Sequence, residues 1–363
     1  MSPRIDAFLK LAVEQQGSDL HLISGLPPRI RVHGLLQSVH FRELSSGDVE
    51  LMLSEILTPQ QHERLLASAA VDFAIDAGEL GRFRCNVYRH SRGLGGVLRA
   101  VPGHVPSLDE LGLPASIKLA VTQPKGLILV TGPTGSGKST TMAAMVDQIN
   151  STRRGHIVTI EDPIEYVHAF KKCVMTQREV GVHAPSFAEA LRDALREDPD
   201  VVLVGEMRDP ETIALALTAA ETGIQVLATL HTSGASRTID RIVNAFPARR
   251  HDQVRVMLAD SLRMIVSQQL VRTADGEGRI AVAEVVINTH AVASMIRTGN
   301  SHKLDSAIQT GVSAGMQSLD GALRDLVREG TITGEEAHAR AFDKGQFEPL
   351  VAAERGGARA ERV

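Results

Sequence analysis

The stretch GPTGSGKST at residues 132–140 decides the fold class of this chain. Its first eight residues match the pattern G-x-x-x-x-G-K-[ST], which cradles phosphate groups. The run before it, residues 126–131, is typical of a short buried strand, and the run after it, residues 140–149, is typical of a helix. This order of strand, glycine-rich loop and helix predicts an α/β domain that binds a nucleoside triphosphate.

Each residue type in the loop has a defined task. Glycines allow backbone N–H groups to turn inward around phosphates, and the helix N-terminus adds a partial positive charge. Lys138 is expected to reach the β- and γ-phosphates, and Ser139 to ligate Mg²⁺. The predicted nucleotide-binding residues are Gly132, Pro133, Thr134, Gly135, Ser136, Gly137, Lys138, Ser139 and Thr140.

The bulk composition narrows the function further. The 363 residues suffice for two or three domains, and 43% of them are hydrophobic. Aromatic residues are only 3% and the net charge is −4, which argues against a nucleic-acid surface. The cysteines, Cys85 and Cys173, lie too far apart for a zinc or disulfide pattern, so a reduced cytosolic protein is expected. The sequence indicates neither a signal peptide nor a transmembrane run, so any membrane role is expected to be peripheral.

The pattern of the chain predicts several domains in succession. Residues 1–100 read as a small α+β domain, with a helix over 3–16 and another over about 46–67. Two prolines and a glycine within residues 101–107 mark residues 101–112 as a linker. Residues 113–288 are the expected ATPase domain, 289–352 a helical subdomain and 353–363 a disordered tail.

Four apolar runs recur in the ATPase region, at 127–130, 157–160, 201–204 and 226–230, and predict a parallel sheet. Each run ends in polar residues, and ligands of such sheets bind outside the carboxyl ends of the strands. We therefore expect these side chains to converge on one cleft: Lys138, Glu161, Glu165, Glu206 and His231.

Triphosphate hydrolysis assigns a role to each of these acids. Glu206 follows four apolar residues and a glycine, and is expected to support Mg²⁺ and its water shell. Glu165 is the first candidate for the base that orients water, with Glu161 as a supporting acid or the alternative base. His231 is expected to contact or sense the γ-phosphate.

The first domain carries an arginine-rich strand around residues 82–99. Arg82 and Arg84 alternate with Phe83 and Cys85, so the two arginines share one face. A positive strip of this kind can supply arginine fingers, often to a triphosphate held by a neighbouring subunit. Arg84 and Arg99 are the favoured fingers, with Arg82 a further candidate.

Together these motifs resemble the twitching-motility branch of the type IV pilus and secretion ATPases. GSDLHLISGLPPRIRVHG at 17–34 and GRFRCNVYRH at 81–90 resemble its PAS-like N-terminal domain and arginine strand. TIEDPIEYVH at 159–168 resembles its Asp box, and LREDPDVVLVGEMRDPET at 195–212 its Walker B region. TLHTSGASRTIDRIVNAFP at 229–247 resembles its His box, and SQQLV at 267–271 also fits. The resemblance covers about residues 3–345.

The resemblance implies a RecA-like core in a homohexameric ring, with ATP between the N-terminal domain of one subunit and the core of the next. It implies ATP and Mg²⁺ as cofactors and the inner-membrane platform protein of the pilus as a partner, with a paralogous pilus ATPase as a further one. The implied activity is ATP hydrolysis that drives pilus retraction from the cytoplasmic face of the inner membrane.

Two segments depart from the family pattern. The His box usually begins T-G-H, but here it reads Thr222-Gly223-Ile224-Gln225. The family's retraction helix AIRNLIRE corresponds to AVASMIRT at 291–298, which keeps Ala291, Ile296 and Arg297. The alternatives are therefore an accessory paralogue, a pilus-assembly or secretion ATPase, and a non-catalytic subunit; a nucleic-acid motor is disfavoured by the charge.

Overall fold

The computed structural model describes residues 3–32, 34–101, 103 and 105–360. The chain divides into two compact units. The first unit contains the residues up to 104 together with Pro163–Val167, and the second contains Val105–Asp162 and the residues from His168 onward. The first unit thus takes in a short segment from the region that the sequence analysis assigned to the ATPase domain.

The first unit is an antiparallel sheet with helices packed against it. In chain order its elements are α1 (Asp6–Glu14), β1 (Asp19–Ile23), β2 (Arg29–Val32), β3 (Leu35–Ser38), α2 (Ser46–Ser54), α3 (Pro59–Ser68), β4 (Ala70–Asp76), β5 (Arg82–His90) and β6 (Gly93–Val101).

The strands of this sheet lie in the order β3-β2-β1-β6-β5-β4. Along β5, Phe83, Cys85 and Val87 are buried in the core, so Arg82 and Arg84 point to the opposite face. The predicted common face of these two arginines is therefore confirmed.

The helix expected over residues 46–67 is two helices, α2 and α3. Pro59 cannot continue a helix from the preceding turn, but it fits the first position of a new one. Thr58 caps that new helix, because its side chain accepts from the N–H of Gln61 and the Gln61 side chain accepts from Thr58. This reciprocal pair separates the two helices.

The second unit is built around a mainly parallel sheet. Its elements up to the last strand are α4 (Ala115–Val121), β7 (Gly126–Thr131), α5 (Lys138–Thr152), β8 (His156–Glu161), β9 (Val174–Glu179), α6 (Phe187–Ala194), β10 (Val201–Val204), α7 (Pro210–Glu221), β11 (Gln225–Leu230), α8 (Ala235–Asn244), α9 (His251–Ser261), β12 (Leu262–Arg272) and β13 (Arg279–Ile287).

The strand order is β13-β12-β7-β11-β10-β8-β9, and every neighbouring pair is parallel except β12 with β13. The four apolar runs are β7, β8, β10 and β11, as predicted. The apolar pattern does not predict β9, β12 and β13 as strands, because polar residues such as Gln177 and Gln268 interrupt it.

Helices complete the second unit: α10 (His290–Arg297), α11 (Leu304–Thr310), α12 (Leu319–Arg328), α13 (Gly334–Arg340) and α14 (Glu348–Ala360). Ile296 and Ile308 from α10 and α11 belong to the main core beside the sheet. Leu323 from α12 packs instead with Val271 and Val282 at the far ends of β12 and β13.

The structure differs from the predicted C-terminal tail and from the predicted linker. The backbone is helical to Ala360 where a tail without structure was expected from residue 353; Glu354 on that helix accepts hydrogen bonds from Gly334 and Glu335, which ties it to α13. In the expected linker, Pro102 and His104 lie outside the described residues, whereas Leu108 is buried in the second unit. Among the described helices, none has the length and apolar character that crossing a bilayer requires.

Candidate active site

The carboxyl ends of four parallel strands meet at one edge of the second unit. The N–H of Gly132, just after β7, donates to the carbonyl of Leu230 at the end of β11. The N–H of Gly205, just after β10, donates to the carbonyl of Ile160 on β8 at 2.7 Å. The segments that follow β7, β11, β10 and β8 are therefore neighbours in that order, as parallel strand ends predict.

The phosphate-binding loop, residues 132–137, bends at glycines for identifiable steric reasons. Gly132 has a φ of +147°, and a Cβ there would lie 2.2 Å from the main-chain oxygen of Gln268. Gly137 has a φ of +86° and is the N-cap of α5. Helix α5 begins at Lys138, so the partial positive charge of its N-terminus lies at the loop.

Lys138 is the buried cation of this loop. Its side-chain ammonium donates to the carbonyl oxygens of Gly132 at 2.9 Å and Pro133 at 3.0 Å. These bonds join the end of the loop to its beginning. Ser139, in the next position, is exposed on the first turn of α5, where its hydroxyl can meet a ligand.

Two hydroxyls at the base of the loop are buried without a hydrogen-bond partner among the described residues: Thr131 Oγ1 and Ser136 Oγ. Buried hydroxyls are nearly always hydrogen-bonded in native proteins, so such groups call for a partner. A phosphate oxygen is an acceptor of the right chemistry. The loop therefore fits a nucleotide phosphate by its glycines, its helix end, its cation and these hydroxyls.

Glu206 lies two residues beyond β10 and is the centre of a polar group. Its Oε2 lies 2.7 Å from Nη2 of Arg208 and 3.4 Å from Nε2 of His231. The other ring nitrogen of His231 lies 3.5 Å from the hydroxyl of Thr134, which is a long contact. The structure thus connects the phosphate loop, the end of β11 and the segment after β10 through side chains.

The electrostatics keep Glu206 ionised. Burial acts to raise its pKa, but the hydrogen bond and charge of Arg208, with a contribution from His231, lower the pKa below its ordinary value. The same ion pair raises the pKa of Arg208. A carboxylate that stays charged and partly exposed is suited to bind Mg²⁺ or its water.

Glu161 ends β8 next to this group, since Gly205 packs against its Cα. Its Oε1 accepts hydrogen bonds from Thr159 Oγ1 at 2.7 Å and Gln177 Nε2 at 3.1 Å. These donors fix the carboxylate at the strand end. Lys138, Glu161, Glu206 and His231 therefore all lie at the same edge of the second unit.

Glu165 belongs to the first unit, where it pairs with the arginine strand. Nη1 of Arg84 lies 3.0 Å from Glu165 Oε1, and Nε of Arg82 donates to the carbonyl of Ile164 at 2.9 Å. The arginines on the outer face of β5 thus hold the segment Pro163–Val167. Arg84 and Glu165 are separate catalytic candidates in the sequence, and their spacing does not predict this pairing.

Arg99 is held by a different carboxylate of the first unit. It lies directly opposite Arg84 across the β5–β6 pair and opposite Asp19 across the β1–β6 pair. Its Nε donates to Asp19 Oδ1 at 2.8 Å, and Arg31 approaches the other carboxylate oxygen of Asp19 at 3.7 Å. Asp19 therefore lies between Arg31 and Arg99 in one row of the sheet, and its negative charge partly offsets the row of arginines that continues to Arg84.

The residues of the His box that depart from the family pattern lie at the start of β11, at the opposite end of that strand from His231. Gln225 begins β11, about 17 Å of extended chain before Leu230. Its buried amide accepts from Arg153 and donates to the carbonyl of Val121. Within the second unit, Gln225 is therefore a structural residue remote from the phosphate loop, and it follows Ile224, which stands where the family has its first histidine.

The chain is similar to known proteins over most of its length. The chain matches the family "Type II/IV secretion system protein" over residues 1–339. It is 48% identical over 337 residues to the "Type IV pilus retractation ATPase PilT" of Pseudomonas aeruginosa, an alignment that covers 93% of this chain and 98% of that protein. It is 42% identical over 336 residues to the "Type IV pilus ATPase PilU" of the same organism, covering 93% and 88%.

A solved structure, "Crystal Structure of the Pilus Retraction Motor PilT and Bound ADP", superposes with a TM-score of 0.88 at 42% identity, covering 95% of this chain and 99% of that chain. Its bound ADP agrees with the chemistry of the phosphate loop described above. The chain belongs to the type II/IV secretion system family and is an ATPase of that family.

Proposed function

We propose that this protein is a hexameric, Mg²⁺-dependent ATPase that powers retraction of type IV pili from the cytoplasmic face of the inner membrane. The observation that carries the proposal is the likeness to a solved pilus retraction motor over nearly the whole length of both chains, with a TM-score of 0.88. The intact phosphate loop, with buried Lys138, supports the hydrolytic part of the proposal.

In this proposal the second unit binds ATP. Lys138 neutralises the β- and γ-phosphates, and backbone N–H groups of the loop bind their oxygens. When bound, Mg²⁺ would supply positive charge to the phosphate oxygens. The protein oxygens that fit this ion are the exposed hydroxyl of Ser139 and the ionised carboxylate of Glu206, since Mg²⁺ prefers one or two protein oxygens together with phosphates and water.

Glu165 or Glu161 orients the attacking water. A carboxylate can act as a base only when a lone pair is available to the proton it receives. In Glu165 one oxygen is engaged by Arg84, and in Glu161 one oxygen is engaged by Thr159 and Gln177. Glu165 remains our first choice, because a single side-chain ion pair opens more readily than a site fixed by two neutral donors.

His231 is proposed to report the state of the γ-phosphate. It lies between Thr134 of the phosphate loop and Glu206, at 3.5 and 3.4 Å. Both contacts are long, so a small displacement of the loop changes them. Movement of His231 would then reach α8, which begins a few residues later at Ala235.

The arginine strand is proposed to act on a neighbouring subunit of the ring. Arg84 and Arg99, with Arg82 beside them, stand on one exposed face of the first unit. Guanidinium groups on such a face can stabilise charge on the γ-phosphate of ATP held next door. The proposed partners are further copies of this chain, the pilus platform protein of the inner membrane and a paralogous pilus ATPase.

Twitching motility and surface pili in a strain that lacks this protein test the proposal. Loss of twitching with an increased number of surface pili is expected, because assembly would continue without retraction. Loss of twitching together with loss of pili would instead assign the protein to assembly. A strain that expresses the Lys138→Ala protein is the matched control. It distinguishes a role that requires ATP hydrolysis from a role that requires only the presence of the protein.

An accessory retraction role is the second candidate. It is favoured by the likeness to PilU and by α10, where the family's charged retraction helix has become AVASMIRT. The retained Ile296 is buried and the retained Arg297 pairs with Asp260, whereas Ala293 and Thr298 are uncharged where the family's helix has Arg and Glu. Unchanged twitching and pilus number in the deletion strain would favour this role.

A further inference from the structure

Gln268 is a buried polar residue that forms the floor of the phosphate loop. It lies on β12 directly after Ser267, which pairs with Thr131 at the end of β7. Its side chain is 1% exposed. A Cβ on Gly132 would lie 2.2 Å from the main-chain oxygen of Gln268, and a Cβ on Gly137 would lie 2.9 Å from its side-chain nitrogen, so one residue approaches both ends of the loop.

The side-chain amide of Gln268 makes two hydrogen bonds with different partners. Nε2 donates to the carbonyl oxygen of Ser136 at 2.8 Å, and Oε1 accepts from Thr141 Oγ1 at 2.8 Å. A carbonyl can only accept, so the NH₂ group must face Ser136. Thr141, which is itself buried in α5, supplies the hydroxyl that satisfies the other end of the amide. The orientation of the amide is therefore fixed by its surroundings.

The bond to Ser136 has a consequence for the next residue. In a trans peptide the C=O of one residue and the N–H of the next point in opposite directions. Because the Ser136 carbonyl is held toward Gln268 on the floor of the loop, the N–H of Gly137 points away from that floor. Inward-pointing N–H groups are what a loop of this kind offers to phosphate oxygens.

We propose that Gln268 is a positioning residue for nucleotide binding: by holding the Ser136 carbonyl, it turns the Gly137 N–H toward the phosphates of the bound nucleotide. Thr141 acts through Gln268 by holding the far end of the amide. The inference deepens the proposed function and rests on its nucleotide site, but it does not depend on pilus retraction.

Gln268→Glu tests the proposal with almost no change in shape. The carboxylate still accepts from Thr141 but cannot donate to Ser136, so it faces a carbonyl without a proton between them. At pH 8 we expect weaker binding of both ATP and ADP, by about tenfold or more, the equivalent of one lost buried hydrogen bond. The steady-state KM for ATP should rise more than kcat falls, because the Gly137 N–H binds phosphate before and during the reaction.

The pH dependence of nucleotide affinity in the Gln268→Glu protein distinguishes a hydrogen-bonding role from a packing role. Packing alone would not make this affinity recover at low pH. A buried glutamate beside a carbonyl has a raised pKa, and its protonated form can donate where the amide did. The affinity of the Gln268→Glu protein, relative to wild type at the same pH, should therefore recover between pH 8 and pH 6. Gln269→Glu is the matched control, because the adjacent side chain points to the other face of β12.

Thr141→Val and Thr141→Ser keep the test decisive if Gln268→Glu does not fold. Valine removes the hydroxyl that orients the amide and should weaken ADP binding, whereas serine keeps the hydroxyl and should bind like wild type. Wild-type affinity in folded Gln268→Glu, an equal loss in Gln269→Glu, or equal affinity in the two Thr141 variants would overturn the inference. A wild-type protein that binds neither ATP nor ADP would overturn the nucleotide site itself.

Discussion

The phosphate loop and the arginine strand both present cations that we propose act on ATP, but the protein holds them in different ways. In the second unit, Lys138 is buried and main-chain carbonyls of its own loop hold its ammonium group. In the first unit, Arg84 is partly exposed and the side chain of Glu165 holds its guanidinium. One cation is therefore fixed by backbone and the other by a side chain that can move.

We expect this difference to give the two cations different roles: Lys138 in nucleotide binding and Arg84 in a conformational change. The carbonyls that hold Lys138 belong to the glycine-rich loop, so its ammonium group is held at the place where we propose that phosphate binds. The Arg84–Glu165 pair opens when either side chain changes rotamer, and opening releases an arginine and a carboxylate at once. We infer that the phosphate loop contributes preorganised binding, and that the arginine strand contributes the step that depends on a neighbouring subunit.

The largest effect is expected from Lys138→Ala. The loop loses its only buried cation among the described residues, so phosphate charge in the transition state is no longer neutralised. ATP hydrolysis, measured as phosphate release, should fall by about 1,000-fold. Lys125→Ala removes an exposed lysine just before β7 and is the matched control. Unchanged turnover in Lys138→Ala would refute the phosphate-loop assignment.

The phosphate-loop side of this comparison could be predicted from sequence, because the loop is local in sequence. The strand, the glycines, Lys138 and the helix follow one another within residues 126–152. Four of the parallel strands were equally readable as mainly apolar runs, and the convergence of the polar residues at their ends followed from the topology of such sheets.

The rest of the site depends on contacts that sequence spacing does not contain. Gln268 lies 132 positions beyond Ser136, and its strand was missed because polar residues interrupt it. The pairing of Arg84 with Glu165 joins residues 81 positions apart. SQQLV was noticed as a family motif, but only the register of β12 against β7 shows which of its glutamines faces the loop.

A second, smaller effect is expected from Glu165→Gln. The amide cannot accept a proton from water, so the protein should bind ATP yet hydrolyse it about 100-fold more slowly. Single-turnover hydrolysis measured beside nucleotide affinity separates these steps. Glu161→Gln is the comparison variant, because Glu161 belongs to the second unit. Wild-type turnover in Glu165→Gln with a slow Glu161→Gln protein would move the base to Glu161.

Arg84→Ala tests whether the arginine strand acts on ATP that is held by a neighbouring subunit. We expect about a tenfold loss of hydrolysis, the value of one charge-assisted hydrogen bond, because Arg99 and Arg82 remain. Mixtures of wild-type and Arg84→Ala chains should hydrolyse ATP at rates that deviate from a linear average. Arg89→Ala, an exposed arginine further along β5, should follow the linear average. A linear response for Arg84→Ala would show that it does not act in trans.

The smallest effect concerns one buried carboxylate in each unit. Burial acts to raise the pKa of Asp19, but hydrogen bonds from Ser18 and Arg99 lower it below its ordinary value. Burial raises the pKa of Glu284 to about 7; the N–H of Ala235 opposes this rise, and the charges of Asp305 and Asp320 add to it. The first carboxylate has a cation to pair with, and the second caps the start of α8 with a single backbone N–H.

These shifts give opposite pH responses. A lowered pKa means that Asp19 stabilises its unit above the unfolded pKa of about 4 and that this contribution is lost as the pH falls further. A raised pKa means that the folded state keeps a proton that the unfolded chain loses, so Glu284 stabilises its unit less as the pH rises from about 4.5 to about 7.

Hydrogen exchange of β1 and β13, followed by mass spectrometry at matched pH, measures the two units separately. Asp19→Asn should weaken protection of β1 at pH 7 by the equivalent of ~1–2 kcal/mol, and the deficit should shrink toward pH 3. Glu284→Gln keeps an acceptor for Ala235 and removes the titration, so its β13 should lose less protection than wild type between pH 5 and pH 7.5. If both variants responded to pH in the same direction, the partner of each carboxylate would not determine its effect on stability. The contrast between a charge held by a side chain and a charge held by main-chain groups would then apply only to Arg84 and Lys138.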